Sequence, residues 1–106
     1  MIPTLTNEER LAALAKAAKL RADRANLRAN LKSGTITYGD FMALADKGDE
    51  AARGTRVKQV ISAMPGYSFA KTRDLMKKLG ISENRRVRGL GARQLAALDE
   101  LFVGAR

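Results

Sequence analysis

The sequence predicts an all-α fold, and three observations carry that expectation. Eighteen of the 106 residues are alanine, the best helix former, and β-branched residues are few. Apolar residues recur at spacings of three, four and seven. Helix-start residues and glycine stops punctuate the chain. The hydrophobic fraction of 45% overstates the core, because removing alanine leaves about thirty larger apolar side chains. A chain of 106 residues is the size of one domain with a modest core.

Thr6-Asn7-Glu8-Glu9 fits a capping box, with Thr first and Glu three residues later. No Gly or Pro follows until Gly34, so one long helix is expected over about residues 7–32. Its second half carries Leu20, Leu27 and Leu31 on one stripe. Arg21, Arg24, Arg28 and Lys32 form an adjoining stripe, a pattern that is more often a solvated face than a binding face. Leu11 and Leu14 project to a different face. Residues 1–16 are therefore expected outside the core, as extended or frayed helix, with 17–103 forming the core of a single domain over 1–106.

Thr37 can cap a short second helix with Phe41, Leu44 and Ala45 inward. Residues 47–54, KGDEAARG, read as a polar loop. A third helix is expected over about 55–64, with Val57, Val60, Ile61 and Met64 at helical spacing. Pro65-Gly66 then breaks the chain. Ser68 can cap a fourth helix that runs to Leu79 with Leu75 and Met76 inward, and Gly80 ends it with Ile81 packed behind. Gly91 precedes a last helix, about 92–103, with Leu95, Leu98 and Phe102 on one face.

Several function classes are disfavoured. Without cysteine there is neither a disulfide framework nor a thiolate metal site, and without histidine most zinc sites and most neutral-pH acid–base chemistry lose their usual residue. No metal or cofactor is expected. MIPTLTNEER lacks the order of a signal peptide, and no stretch approaches the roughly 18 apolar residues of a membrane span. A cytoplasmic protein is the expectation.

Charge placement is more telling. Residues 1–50 hold eight Lys/Arg and seven Asp/Glu, a net of +1, whereas 51–106 hold twelve and four, a net of +8. A compact domain with that imbalance usually meets a polyanion. Two places could hold one. The Pro65-Gly66 turn leads into a helix whose first N–H groups are unpaired, a natural phosphate site, with Ser68, Lys71 and Arg73 beside it. In RRVRGLGARQ, residues 85–94, Gly89 and Gly91 permit positive φ and close backbone approach, and Leu90 can anchor the loop. Arg85, Arg86 and Arg88 would then project from a fixed scaffold. Arg93 sits in a first helical turn against the helix dipole, a cost that a bound phosphate would offset.

RRVRGLG at 85–91, with LGI at 79–81 and Pro65-Gly66, closely resembles the actinobacterial integration host factor family, and the likeness covers about Ala17 to Phe102. The resemblance implies a long N-terminal helix packed on a helix-two-turns-helix module. It implies a small basic nucleoid-associated protein that binds double-stranded DNA through its backbone, with little sequence preference, and bends or compacts it. For some members it implies assistance to phage integration. Family members usually carry Pro-Gly-Val-Gly-Lys at the turn, where this chain has Pro65-Gly66-Tyr67-Ser68-Phe69. Core packing is the expectation for Tyr67 and Phe69; the alternative is a wedge at a base step. DNA-binding positions are thus expected at Gly66, Ser68, Lys71, Arg73, Arg85, Arg86, Arg88, Gly89, Gly91 and Arg93, joined by Arg21, Arg24 and Arg28.

Two separate anion sites on one chain would allow bridging or bending by a monomer. Structured RNA is the alternative partner, because a ribosomal protein shares the module. An enzyme of the glycosylase type is disfavoured: Pro3 is not terminal as encoded, and Glu8-Glu9 are explained by a helix start. A membrane-surface helix is disfavoured by a narrow, mostly alanine stripe over 7–32.

Overall fold

The computed structural model describes residues 6–103, so Pro3 lies outside the described residues. Six α-helices occur among them: α1 (Asn7–Ser33), α2 (Tyr38–Asp46), α3 (Glu50–Gly54), α4 (Val57–Ser62), α5 (Phe69–Leu79) and α6 (Ala92–Phe102). A single 3-10 turn, Val87–Gly89, precedes α6. There is no strand among these residues, only one isolated antiparallel bridge, between Arg56 and Arg86. No helix among them is long and apolar enough to cross a membrane.

The long helix starts where its capping residues require. The Glu9 N–H donates to Thr6 Oγ1 at 3.1 Å, and the Thr6 hydroxyl donates to Glu9 Oε1 at 3.0 Å. Gly34, in the left-handed region, closes α1. The helix packs α2, α3 and α4 against its flank, with Leu31 buried and Leu27 packed on the core. Leu11 and Leu14 are 66% and 60% exposed, off the core face as their phase requires, on a helix that is regular from Asn7.

Helix α2 opens with a reciprocal capping box in which Asp40 N donates to Thr37 Oγ1 and Thr37 N donates to Asp40 Oδ2, both at 3.0 Å. It delivers Phe41 to the centre, where Phe41, Ile61, Met76 and Leu98 are fully buried. Each comes from a different helix, so these four side chains hold α2, α4, α5 and α6 together. Truncating one large side chain at such a site typically costs about 2–5 kcal/mol.

Two sequence expectations need correction. KGDEAARG is not all loop, because Glu50–Gly54 form α3, capped by Asp49, whose Oδ2 accepts from Ala52 N at 2.9 Å. One helical turn is too short to show a periodicity, which is why the pattern hid it. Helix α4 spans Val57–Ser62 rather than 55–64. Thr55 and Arg56 are extended, with ψ of 138° and 136°, because their backbone pairs with the loop before α6.

The α5 terminus closes as expected. Gly80 has φ 71°, the Ile81 N–H donates to Met76 O at 2.8 Å, and Ile81 is buried behind the cap. On α6, the Phe102 ring lies 5.2 Å from Tyr38 and 5.3 Å from Tyr67, centroid to centroid. Burial pushes the Tyr38 phenol above its ordinary value of 10.0, and the neighbouring Asp99 charge pushes it the same way. A raised phenol keeps its stabilising contribution below pH 10 and loses it as pH climbs further. Tyr38→Phe should therefore blunt the alkaline loss of stability, read as melting temperature between about pH 8 and 11. Equal alkaline losses in both proteins would assign the effect to other groups.

Candidate nucleic-acid interface

The arginine loop is fixed from beneath. Val57 N–H donates to Arg85 O at 3.0 Å, and Val87 N–H donates to Thr55 O at 2.9 Å. Val87 is buried and Leu90 packs against the core. Arg85 folds over the turn and donates from Nη1 to Gly89 O at 2.8 Å. A β-carbon at Gly89 would lie 3.1 Å from Arg85 Cδ, so this glycine makes room for an arginine stem. Neither Gly89 nor Gly91 adopts positive φ, contrary to the use expected of them; Gly91 sits at −75°. Their loop is a 3-10 turn followed by extended backbone, which has negative φ throughout.

Arg86 does not project freely. It is half-buried, and its Nη1 donates to the carbonyl of Gly54. Gly54 is where three guanidinium groups meet, because a β-carbon there would lie 3.8 Å from Arg24 Nη1 and 3.9 Å from Arg88 Nη1. Helix α1 therefore reaches the arginine loop across α3. Arg21, Arg24 and Arg28, opposite Arg56 and Arg86, line a groove of about 260 Å³, with Gln59 at its side. None of these five arginines is among the ion pairs of the described residues, which are Lys16–Glu50, Lys19–Asp23, Lys58–Glu83 and Arg73–Glu83. Like charges three and four apart on a helix cost about 0.2–0.5 kcal/mol per pair, so the stripe is a burden on the free protein.

Arg56 and Gly54 were not among the sequence-derived positions. The one available signal was local: Thr55-Arg56-Val57 sets an arginine between β-branched residues, as strand-like pairing favours, and Arg86-Val87 answers it. The partner of such a short bridge is not written in either segment.

The turn forms a separate place. Gly66 has φ 83°, which L side chains rarely adopt, and it sets the angle at which α5 begins. Ser68 Oγ accepts from Lys71 N at 3.3 Å. The Phe69 and Ala70 N–H groups, in the first turn of α5, make no hydrogen bond among the described residues. Gly66, Tyr67, Lys71, Asp74 and Lys78 line a surface hollow of about 430 Å³ that shares no residue with the arginine groove. Arg73 is less available than expected, since Glu83 Oε1 lies 3.6 Å from its Nε and 4.0 Å from Lys58 Nζ. Tyr67 packs against the core, as expected, but Phe69 is 71% exposed, with Lys58 Nζ 6.0 Å from its ring centroid. Phe69 is the first residue of α5 and takes no part in the Tyr67–Phe102 ring contact nearby.

The N-terminus of α6 is partly spent. Gly91 N donates to Gln94 Oε1 at 3.0 Å, and Gln94 Nε2 donates to Gly80 O at 2.9 Å. One amide expected to hold phosphate thus ties α6 to the end of α5 instead. Arg93 is exposed beside it.

A small, basic helical domain with a glycine turn and an arginine loop set on one scaffold is the helix-two-turns-helix class. Residues 31–102 match the S13-like H2TH domain family. Proteins named integration host factor are 37% identical in Streptomyces coelicolor, covering 95% of this chain and 94% of theirs, and 39% identical in Mycobacterium tuberculosis, covering 98% of each. The one from Mycolicibacterium smegmatis is 40% identical, covering 95% of each. A solved structure of sIHF bound to an 8bp palindromic DNA superposes with a TM-score of 0.70 at 32% identity, over 83% of this chain and 98% of that one. The chain belongs to the actinobacterial integration host factor family.

Two glycines should respond in opposite ways. Gly66→Ala forces a β-carbon into the left-handed region and should destabilise by about 1–2 kcal/mol. At Gly54 φ is not positive and a β-carbon meets only guanidinium tips at ordinary contact distance, so Gly54→Ala should stay within about 0.5 kcal/mol or stabilise. Urea unfolding of both variants checks the order, and a reversal would mean that the three guanidiniums cannot accommodate a methyl group.

Proposed function

We propose that this chain is a non-enzymatic architectural protein that binds duplex DNA through its phosphate backbone, with little sequence preference. The observation that carries the reading is the arginine groove: five guanidiniums from three separate chain segments converge there, with no carboxylate partner among the described residues. Arginine's planar fork suits phosphate oxygens, and phosphate contacts position a protein without reading sequence. The family relatives and a neighbour solved on DNA support the same reading. A protein of this kind would spread along the nucleoid.

Arg85, Arg88 and Arg93 extend the groove's charge toward the Gly89–Gly91 loop. Arg86 acts by holding that loop to Gly54. At the turn, the free Phe69 and Ala70 amides, with Lys71, make a second phosphate contact. Because the two places share no residue, one chain acting as a monomer can touch two stretches of backbone, which bends a duplex or bridges two. The S13-like character of the module favours structured RNA as the rival ligand.

The test is a salt titration of binding to a random-sequence DNA duplex, with an RNA duplex as competitor. A log–log slope steeper than about −4, indifferent to sequence and favouring DNA, is expected. Arg24→Ala with Arg28→Ala, and separately Arg85→Ala with Arg88→Ala, should each flatten the slope by roughly 0.9 for every phosphate no longer neutralised, equally for all sequences. A preference for the RNA competitor would overturn the DNA reading.

A further inference from the structure

The arginine groove carries more positive charge than one DNA strand can match. Arg21, Arg24, Arg28, Arg56 and Arg86 line about 260 Å³, and among the described residues no carboxylate lines it. Arg24, Arg28 and Arg86 are half-buried, so the charge sits in a concavity rather than on a ridge. One strand carries one charge per ~3.4 Å of helix axis, so a concavity this short faces only a few of its phosphates, fewer than the five guanidiniums that line it.

We propose that this groove binds a free linear oligophosphate, and that an occupied groove is withdrawn from DNA; the second clause rests on the DNA reading above. Tripolyphosphate concentrates the missing charge. Its middle phosphoryl contributes one negative charge and each end about 1.5 to 2, for a total of about four to five in the volume of one small ligand. Each guanidinium can offer two parallel N–H groups to phosphate oxygens, and the Gln59 amide offers a further donor. Arg86 is already held by the Gly54 carbonyl, so part of the ordering cost of binding is met in the free protein. The triphosphate end of a nucleotide has the same chemistry. Among the described residues no aromatic side chain lines the groove to stack a base, so affinity should follow phosphate number and not the nucleoside.

The experiment is isothermal titration calorimetry of the full chain with sodium tripolyphosphate, ATP and orthophosphate, at an ionic strength matched with chloride. Tripolyphosphate is expected to bind one per chain, at least about tenfold more tightly than orthophosphate, and ATP no more tightly than tripolyphosphate. Arg24→Ala with Arg28→Ala should weaken it about tenfold or more, whereas Lys47→Ala with Lys77→Ala, which removes the same charge elsewhere, should stay within about twofold. Arg24→Lys with Arg28→Lys keeps the charge and the helix, so a loss there reports fork geometry. Binding no tighter than orthophosphate, or equal losses in the groove and control variants, would overturn the site. Fluorescence anisotropy on a labelled duplex supplies the second arm, in which tripolyphosphate should displace DNA at concentrations where orthophosphate does not. Duplex binding without tripolyphosphate binding sinks this proposal and leaves the DNA reading standing. Tripolyphosphate binding without duplex binding does the reverse, and removes the withdrawal clause.

Discussion

Two backbone hydrogen bonds between Thr55–Val57 and Arg85–Val87 set the position of the arginine loop on the helical scaffold. They join segments about thirty residues apart in the chain, and they do so with groups that any sequence possesses. Their effect is to present Arg56 and Arg86 side by side. The Arg86–Gly54 bond then locks the loop to α3, and α3 rests on α1. Remove that pairing and the arginines of residues 85–88 become a charged loop between α5 and α6, held less firmly opposite Arg24 and Arg28. Burial of Val57 and Val87, the residues that donate the two bonds, keeps water from competing for them.

Most of the helical scaffold was legible in the sequence because it is written in local chemistry. Thr6, Thr37 and Ser68 are caps at the helix starts they foretell, Gly34 and Gly80 are stops, and Phe41, Ile61, Met76 and Leu98 each belong to the apolar stripe of their own helix. Helix α3 was not legible, since five residues cannot display a period. The bridge was not legible either, because pairing at long range leaves no trace in one strand-like triplet. The arginine stripe on α1 was visible, but its fate depended on what faced it. Only the fold brings Arg56 and Arg86 opposite Arg21, Arg24 and Arg28. Phe69 shows the limit from the other side: an aromatic residue at a helix start reads as core, yet at that position of α5 it has no core to enter.

Folding and charge pull in different directions here. The apolar centre and the capping boxes favour the compact state, while the groove packs like charges into a small volume. Such a site is tolerated because arginine carries its charge on a long stem, delocalised and weakly hydrated. A bound polyanion removes the repulsion, so ligand binding and fold stability are linked by the same side chains. Glu83 tempers charge near the turn by sharing one carboxylate oxygen between Arg73 and Lys58, and nothing comparable occurs inside the groove.

The aromatic trio around Phe102 has an optical consequence. The chain has no tryptophan and two tyrosines, and both tyrosine rings lie against Phe102. Tyrosine absorption, tyrosine near-ultraviolet circular dichroism and tyrosine emission therefore all originate at one joint, where α6 meets α2 and the segment before α5. The arginine groove contributes no chromophore at all. The protein is thus a reporter of its own C-terminal helix docking, and it is spectroscopically dark at its basic face.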